Sequence, residues 1–177
     1  MYISRGGHAV RYATSLIALL LIAGHPVQGQ SLPVQIPDQY FKVVPGSRLG
    51  PIALGDTPEA LFVALGIPQG RAGVYLWELQ PPLGTLVAIT DQSGRITKIK
   101  TYWTVAYETL NHLHVGLMES DITAALGRAL WVARWSHYRA LYYPGIFFQI
   151  DEASQIVMAL GVVRRGTYAA AAKSLGR

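Results

Sequence analysis

Beyond residue 29 the chain carries three histidines, His112, His114 and His137, and it has no cysteine anywhere. His112 and His114, one residue apart, would present two imidazoles on one side of an extended segment, which is how a metal site begins. Glu108 and Asp121 are the carboxylates that folding could bring to them, but no third ligand adjoins the pair in sequence, so no metal and no cofactor is assigned. Ser136 and His137 do not form a nucleophile–base pair, because adjacent strand residues face opposite ways. The carboxylates are scattered without acid/base spacing. The stretch Gly66-Ile67-Pro68-Gln69-Gly70 lacks the lysine of a phosphate loop. Without cysteine there is no thiolate nucleophile, zinc–thiolate site, disulfide or lipidated N-terminus. The chain is therefore expected not to be an enzyme. The alternative is a small secreted metal-dependent hydrolase with His112 and His114 as its nucleus.

Binding chemistry has a better seat. Alternation through residues 137–143 puts Tyr138, Ala140 and Tyr142 on one side and His137, Arg139, Leu141 and Tyr143 on the other. In the next segment Ile146, Phe148 and Ile150 oppose Phe147 and Gln149. Giving the continuously apolar sides to a helix leaves Arg139, His137, Tyr143, Phe147 and Gln149 outward, with Glu78, Lys98, Lys100 and Tyr102 as earlier counterparts. Aromatic rings interleaved with Arg and Lys make a protein-binding patch. The competing reading packs those rings between two halves of the molecule. Trp131-Val132-Ala133-Arg134-Trp135 reads as core.

The elements that must position these residues follow an address. Arg5 and Arg11, an apolar run over residues 15–23, and Val27-Gln28-Gly29 together read as a signal peptide over 1–29, cleaved to leave Gln30 first. Gly24, His25 and Pro26 stop the run well short of the roughly 20 residues a membrane span needs. No later stretch is long enough, so no transmembrane segment is expected after processing. The expected location is periplasmic or secreted. The 177 residues are 51% hydrophobic and 14% charged, which excludes a disordered chain. The net charge of +5 falls to about +3 without Arg5 and Arg11, too little and too dispersed for nucleic acid.

Residues 30–46 form a proline-containing extended leader. The chain then repeats at a period of 61 without gaps. Gly55 falls on Gly116, Ala64-Leu65-Gly66 on Ala125-Leu126-Gly127, Ala72 on Ala133, Gly84 on Gly145, Ile89 on Ile150 and Ser93 on Ser154. Trp77 and Tyr138 are a conservative match in the same register. Each unit opens with a helix carrying an apolar i, i+3, i+4 stripe: Leu61, Ala64, Leu65 and Ile122, Ala125, Leu126. Asp56 or Thr57 caps the first, Ser120 the second, and Gly66 and Gly127 end them. Strands are predicted over 74–79, 85–90 and 96–103, and again over 137–143, 146–151 and 156–163. The expected fold is α+β: two tandem αβββ units over 47–104 and 105–165, each a helix packed on an antiparallel meander sheet, with a tail over 166–177.

The phrase from Pro45-Gly46 through Gly55-Asp56-Thr57-Pro58 to Leu65-Gly66-Ile67-Pro68 resembles a known opening. It is similar to that of the domain shared by β-lactamase inhibitory protein and the small lipoprotein of the outer-membrane barrel-assembly machine. The resemblance covers residues 43–103 well and 113–163 loosely, where Met118 replaces the threonine and no proline follows Gly127. It implies a helix followed by an antiparallel sheet. The lipoprotein's lipidated cysteine and the inhibitor's disulfides are both absent, and no functional residue of either transfers. The expected function is an exported, non-enzymatic protein-binding module, inhibitor-like or an envelope-assembly accessory, using open sheet faces to hold another exported or envelope protein. A purely structural envelope component is the remaining alternative.

Overall fold

The computed structural model describes residues 38–166. The proposed signal peptide, the first part of the leader and all but Gly166 of the tail lie outside the described residues. After a single 3-10 turn at Asp38–Tyr40 come three two-residue strands, β1 Val43–Val44, β2 Arg48–Leu49 and β3 Ile52–Ala53. Then follow α1 Pro58–Leu65, β4 Gln69–Arg71, β5 Val74–Glu78, β6 Thr85–Thr90 and β7 Ile96–Tyr102. The second half runs α2 Glu119–Leu126, β8 Trp131–Arg134, β9 Tyr138–Tyr143, β10 Ile146–Asp151 and β11 Val157–Val163.

The expectation of an α+β tandem of helix-on-sheet units is overturned. β4 to β11 form a single eight-stranded antiparallel sheet in the order β4-β5-β6-β7-β11-β10-β9-β8, and β1 to β3 form a small second sheet. The described residues are mostly β. The two α-helices among the described residues have only eight residues each and bury little beyond Pro58, Leu61 and Ile122. The physical reason lies in the two last strands. β11 is buried along nearly its whole length, on both faces, and pairs with β7 from Ala159↔Tyr102 to Val163↔Lys98. Two separate meanders would leave these strands as apolar edges with unpaired backbone groups; pairing them removes both edges at once. Each half also has a fourth sheet strand, β4 and β8, beyond its meander.

The leader is not wholly outside the fold either. Val43 N–H donates to the Glu108 carbonyl at 2.9 Å and Gly46 N–H to the Gly145 carbonyl at 2.8 Å, so residues 43–46 are tied to the connecting loop and to the β9–β10 turn. Val43, Leu49 and Ile52 from the small sheet join Tyr107, Leu113 and Val115 of the connecting loop in the main core, on the helix side of the large sheet.

Helix ends are set locally. Proline opens α1 at its first turn, and Gly66 and Gly127 close α1 and α2 in the left-handed region at φ +79° and +74°. Neither side-chain cap is the expected one. Thr57 has cap geometry without a cap hydrogen bond, and Asp56 instead accepts the Ala53 N–H at 3.0 Å. In the second helix Met118 occupies the cap position, Ser120 lies inside the helix, and Asp121 accepts the Met118 N–H at 3.0 Å.

The 61-residue register relates α1 to α2 and β7 to β11, but not the strands between. Ile99 pairs with Ala88 and Leu160 with Phe148, so Ala88 corresponds to Phe148, one residue short of the period. Through the same cross-strand partners Trp77 corresponds to Tyr143, not to Tyr138, because the long β5–β6 connection shrinks to Pro144-Gly145 between β9 and β10. Hydrogen bonding agrees. The Trp77 indole donates to the Gly66 carbonyl at 2.9 Å, and the Tyr143 hydroxyl donates to the Gly127 carbonyl at 3.1 Å. Each ring ties its own helix end to the sheet.

Candidate functional site

The eight-stranded sheet has two unlike faces. On the helix side of the second half, Tyr143, Leu141 and Arg139 lie in register with Ile146, Phe148 and Ile150. This corrects the expected outward group. Arg139 and Tyr143 face the main core, whereas Phe147 and Gln149 face away from it. Alternation fixes which residues share a face within a strand, but only the pairing register says how two strands combine. Arg139 is 8% exposed, and its guanidinium is hydrogen-bonded to the carboxylates of Glu119 and Glu152 and to the Gln155 side chain. That network fastens α2 to the β10–β11 turn and holds the guanidinium on the helix side of the sheet. His137 precedes β9 at an exposed position, and its carbonyl accepts the Glu152 N–H at 3.0 Å.

On the other face, pairing sets Lys100, Gly161, Phe147, Tyr142 and Trp131 in one line across β7, β11, β10, β9 and β8. Tyr102, Ala159, Gln149, Ala140 and Ala133 make the adjacent line. Phe147 was expected as an exposed anchor; it lies flat over the bare Gly161, where any Cβ would overlap its ring, and it is fully buried. Gln149 is buried beside it. Tyr142 stacks on Phe147 with centroids 5.3 Å apart, Trp131 tilts onto Tyr142 at 4.9 Å, and Trp135 stacks on Tyr138 at 4.6 Å. Phe147, Tyr142, Trp131 and Trp135 belong to a second apolar cluster with Ala133, Ala140 and Val163, contributed among the described residues by the sheet and the residue that follows β8.

Lys98, Lys100 and Tyr102 project onto this same face from β7. Lys98 is 6% exposed; its Nζ donates to the Tyr142 hydroxyl at 3.3 Å and lies 4.3 Å from the Phe147 centroid. Lys100 Nζ lies 4.6 Å over the Tyr102 ring. Burial, with the Lys100 charge nearby, lowers the Lys98 ammonium to about 7, and burial lowers Lys100 as well. Burial, with Tyr138 close by, pushes the Tyr142 hydroxyl up to about 12, so it stays a neutral hydrogen-bond partner. Among the described residues neither lysine has a carboxylate within ion-pair distance.

The histidines do not converge. His112 sits at φ +57° in the connecting loop with Nδ1 3.4 Å from the Glu108 carboxylate, and His114 Nδ1 is 2.8 Å from the Val115 carbonyl. The segment is a turn and not the extended strand the pair would need. Among the described residues no group of three or more His, Asp or Glu could hold a metal, and no helix is long and apolar enough to cross a membrane. A cleft of about 500 Å³ between α2 and β8 is lined by Glu119, Thr123, Arg128, Trp131 and Tyr143, but its carboxylate belongs to the Arg139 network.

Reading the sequence missed four residues of the open face: Trp131, Trp135, Tyr138 and Tyr142. The spacing Trp131-x-Ala133-x-Trp135 is the alternation of a strand and was the signal available. No protein family model and no curated protein matches the chain. Among solved structures, it is similar to the YjgB protein of Bacillus subtilis, a DUF4309 family protein, with a TM-score of 0.48 and 13% identity over 62% of this chain and 78% of that one.

Proposed function

We propose that this protein is an exported, non-enzymatic protein-binding module that holds another exported or envelope protein on the open face of its large sheet. The observation that carries the reading is the composition of that face, where Lys100, Tyr102, Trp131, Trp135 and Tyr138 remain partly exposed around the buried Lys98, Tyr142 and Phe147, with no described helix contributing to its cluster. Burial of rings such as Trp131, Trp135 and Tyr138 supplies association energy in compact contacts, and lysines among them add charge selectivity. The N-terminal pattern from Arg5 to Gly29 supports export.

Site-specific photocrosslinking tests this. A benzophenone side chain placed at Tyr102 or at Tyr138, both partly exposed, should give one and the same discrete adduct in the envelope or secreted fraction of the producing cells. The same probe at Ala64, on the exposed side of α1, should give none. Absence of an adduct from the face, or the same adduct from all three positions, overturns the reading.

A further inference from the structure

We propose that the trough between α2 and β8, on the helix side of the sheet, is a second binding site, which takes an extended polypeptide segment with apolar side chains along its length and an acidic side chain at Arg128. This site is separate from the open face and does not depend on it. The trough has a volume of about 500 Å³. One wall is helical: Glu119, Thr123 and Gly127 recur every fourth residue and stand in a row about 12 Å long. The floor is made by the buried Leu141 and Tyr143 of β9. The other wall is apolar. Val132 of the outermost strand pairs with Leu141 and shares its face, and Leu130 precedes that strand; they are 36% and 62% exposed. Arg128, also exposed, lines the end of the trough beside Gly127.

Two comparisons within the molecule point to a ligand. The 61-residue register that relates the helices sets Glu119 on Pro58, Thr123 on Phe62 and Arg128 on Ile67. Around the same helix, the second half therefore carries a carboxylate, a hydroxyl and a cation where the first half is apolar. The second comparison is among arginines. Arg48 and Arg95 donate to backbone carbonyls, and Arg134 and Arg139 to carboxylates. Among the described residues Arg128 has no such partner. It does not serve the helix end either, where the Gly127 carbonyl already accepts the Tyr143 hydroxyl at 3.1 Å. Glu119 is spent on Arg139, so Arg128 is the charge in the trough that lacks a counter-ion. That charge calls for an anion, the floor and far wall call for apolar side chains, and the length suits about four extended residues at about 3.3 Å each. Thr123 adds a hydroxyl midway for a backbone amide. A free inorganic anion would leave the apolar wall uncovered. A fatty acid would set hydrocarbon against Thr123 and Glu119. A polypeptide segment meets all of these surfaces.

The test uses the peptide Ac-Val-Ser-Leu-Glu-NH2, the same residues in reverse order as Ac-Glu-Leu-Ser-Val-NH2, and both with glutamine in place of glutamate. Binding is read from backbone amide shifts of the isotope-labelled protein. In at least one order the acidic peptide should bind at least about threefold tighter than its neutral counterpart, with the largest shifts in α2 and β8. Arg128→Gln should abolish that preference, and Lys42→Gln should keep it. Val132→Ser should weaken the acidic and the neutral peptide alike, because it removes apolar wall and no charge; the same spectra report whether each variant is folded. Equal binding of acidic and neutral peptides in both orders overturns the site, as does a preference that survives Arg128→Gln or is lost equally with Lys42→Gln. Largest shifts outside α2 and β8, or no shift with any peptide up to about 10 mM, also overturn it.

Discussion

Replacing Lys98 with methionine keeps an unbranched stem of similar length and removes the charge. In the unfolded chain this amine titrates near its ordinary 10.5, and in the fold near about 7. Folding therefore forfeits protonation, and the lowered value of a base destabilises the native state at every pH below 10.5. The gap corresponds to about 5 kcal/mol below pH 6 and about 4 kcal/mol at pH 7, and it shrinks as pH rises toward 10. Against it stand the cation–π contacts with Phe147 and Tyr142 and the hydrogen bond to the Tyr142 hydroxyl, together about 2 kcal/mol. Lys98→Met should accordingly stabilise the protein at pH 7 by about 2 kcal/mol, a gain of about 1 M in the urea midpoint. The wild type should gain about 2–3 kcal/mol between pH 6 and pH 9, with Lys100 adding in the same direction, and the variant should lose most of that slope. Urea unfolding followed by tryptophan fluorescence at pH 6, 7, 8 and 9 measures both. A variant less stable than wild type at pH 7, or wild-type stability that falls across this range, would refute the argument.

Arg139→Met strips two partly buried carboxylates, Glu119 and Glu152, of their shared cation and should cost about 3 kcal/mol in urea unfolding at pH 7. Gly161→Ala places a methyl against both the Phe147 ring and the Ile99 carbonyl, so it should cost about 2 kcal/mol; Phe147→Leu in the same chain should not restore wild-type stability, because the backbone carbonyl cannot move away. Trp77→Phe and Tyr143→Phe each delete one donor to a helix-terminal glycine carbonyl and should each cost about 1 kcal/mol; a large difference between them in thermal unfolding would argue against their equivalence.

Several elements were legible because local chemistry writes them. The glycines at 66 and 127, Pro58 and the apolar stripes put both helices near their observed places, and turn residues bracketed β6, β7, β10 and β11 closely. What could not be read was pairing. Nothing in Lys98-Ile99-Lys100 or in Leu160-Gly161-Val162 says that these strands meet; either could have been covered by its own helix, and that assumption produced two units instead of one sheet. The mixed assignment of Arg139 and Tyr143 with Phe147 and Gln149 has the same origin, since a strand's parity is visible in sequence and its partner's register is not. The β5–β6 and β9–β10 hairpins differ in loop length, and an ungapped comparison steps over that difference unseen. Gln69–Arg71 was missed as a strand because three residues are too short to show a period, and Trp131–Arg134 because its alternating tryptophans were read as core. Lys98 lies on the face opposite the helices, as its strand parity suggested, but its burial was invisible, because it depends on rings delivered by β9 and β10.

Fusing the halves through β7 and β11 also decides what lies at the rims. The strands left outermost are β4, three residues with Gly70 at φ +132°, and β8, four residues ending in Arg134. Neither offers a long flat row of free backbone groups, and a glycine twist at one rim and a charge at the other are the features by which sheet proteins discourage strand addition. A visiting polypeptide therefore gains little by lengthening the sheet, and neighbouring copies gain little by stacking rim to rim. Contact is driven onto side chains, where a change of one residue changes the partner, and away from the backbone, where almost any extended sequence would do.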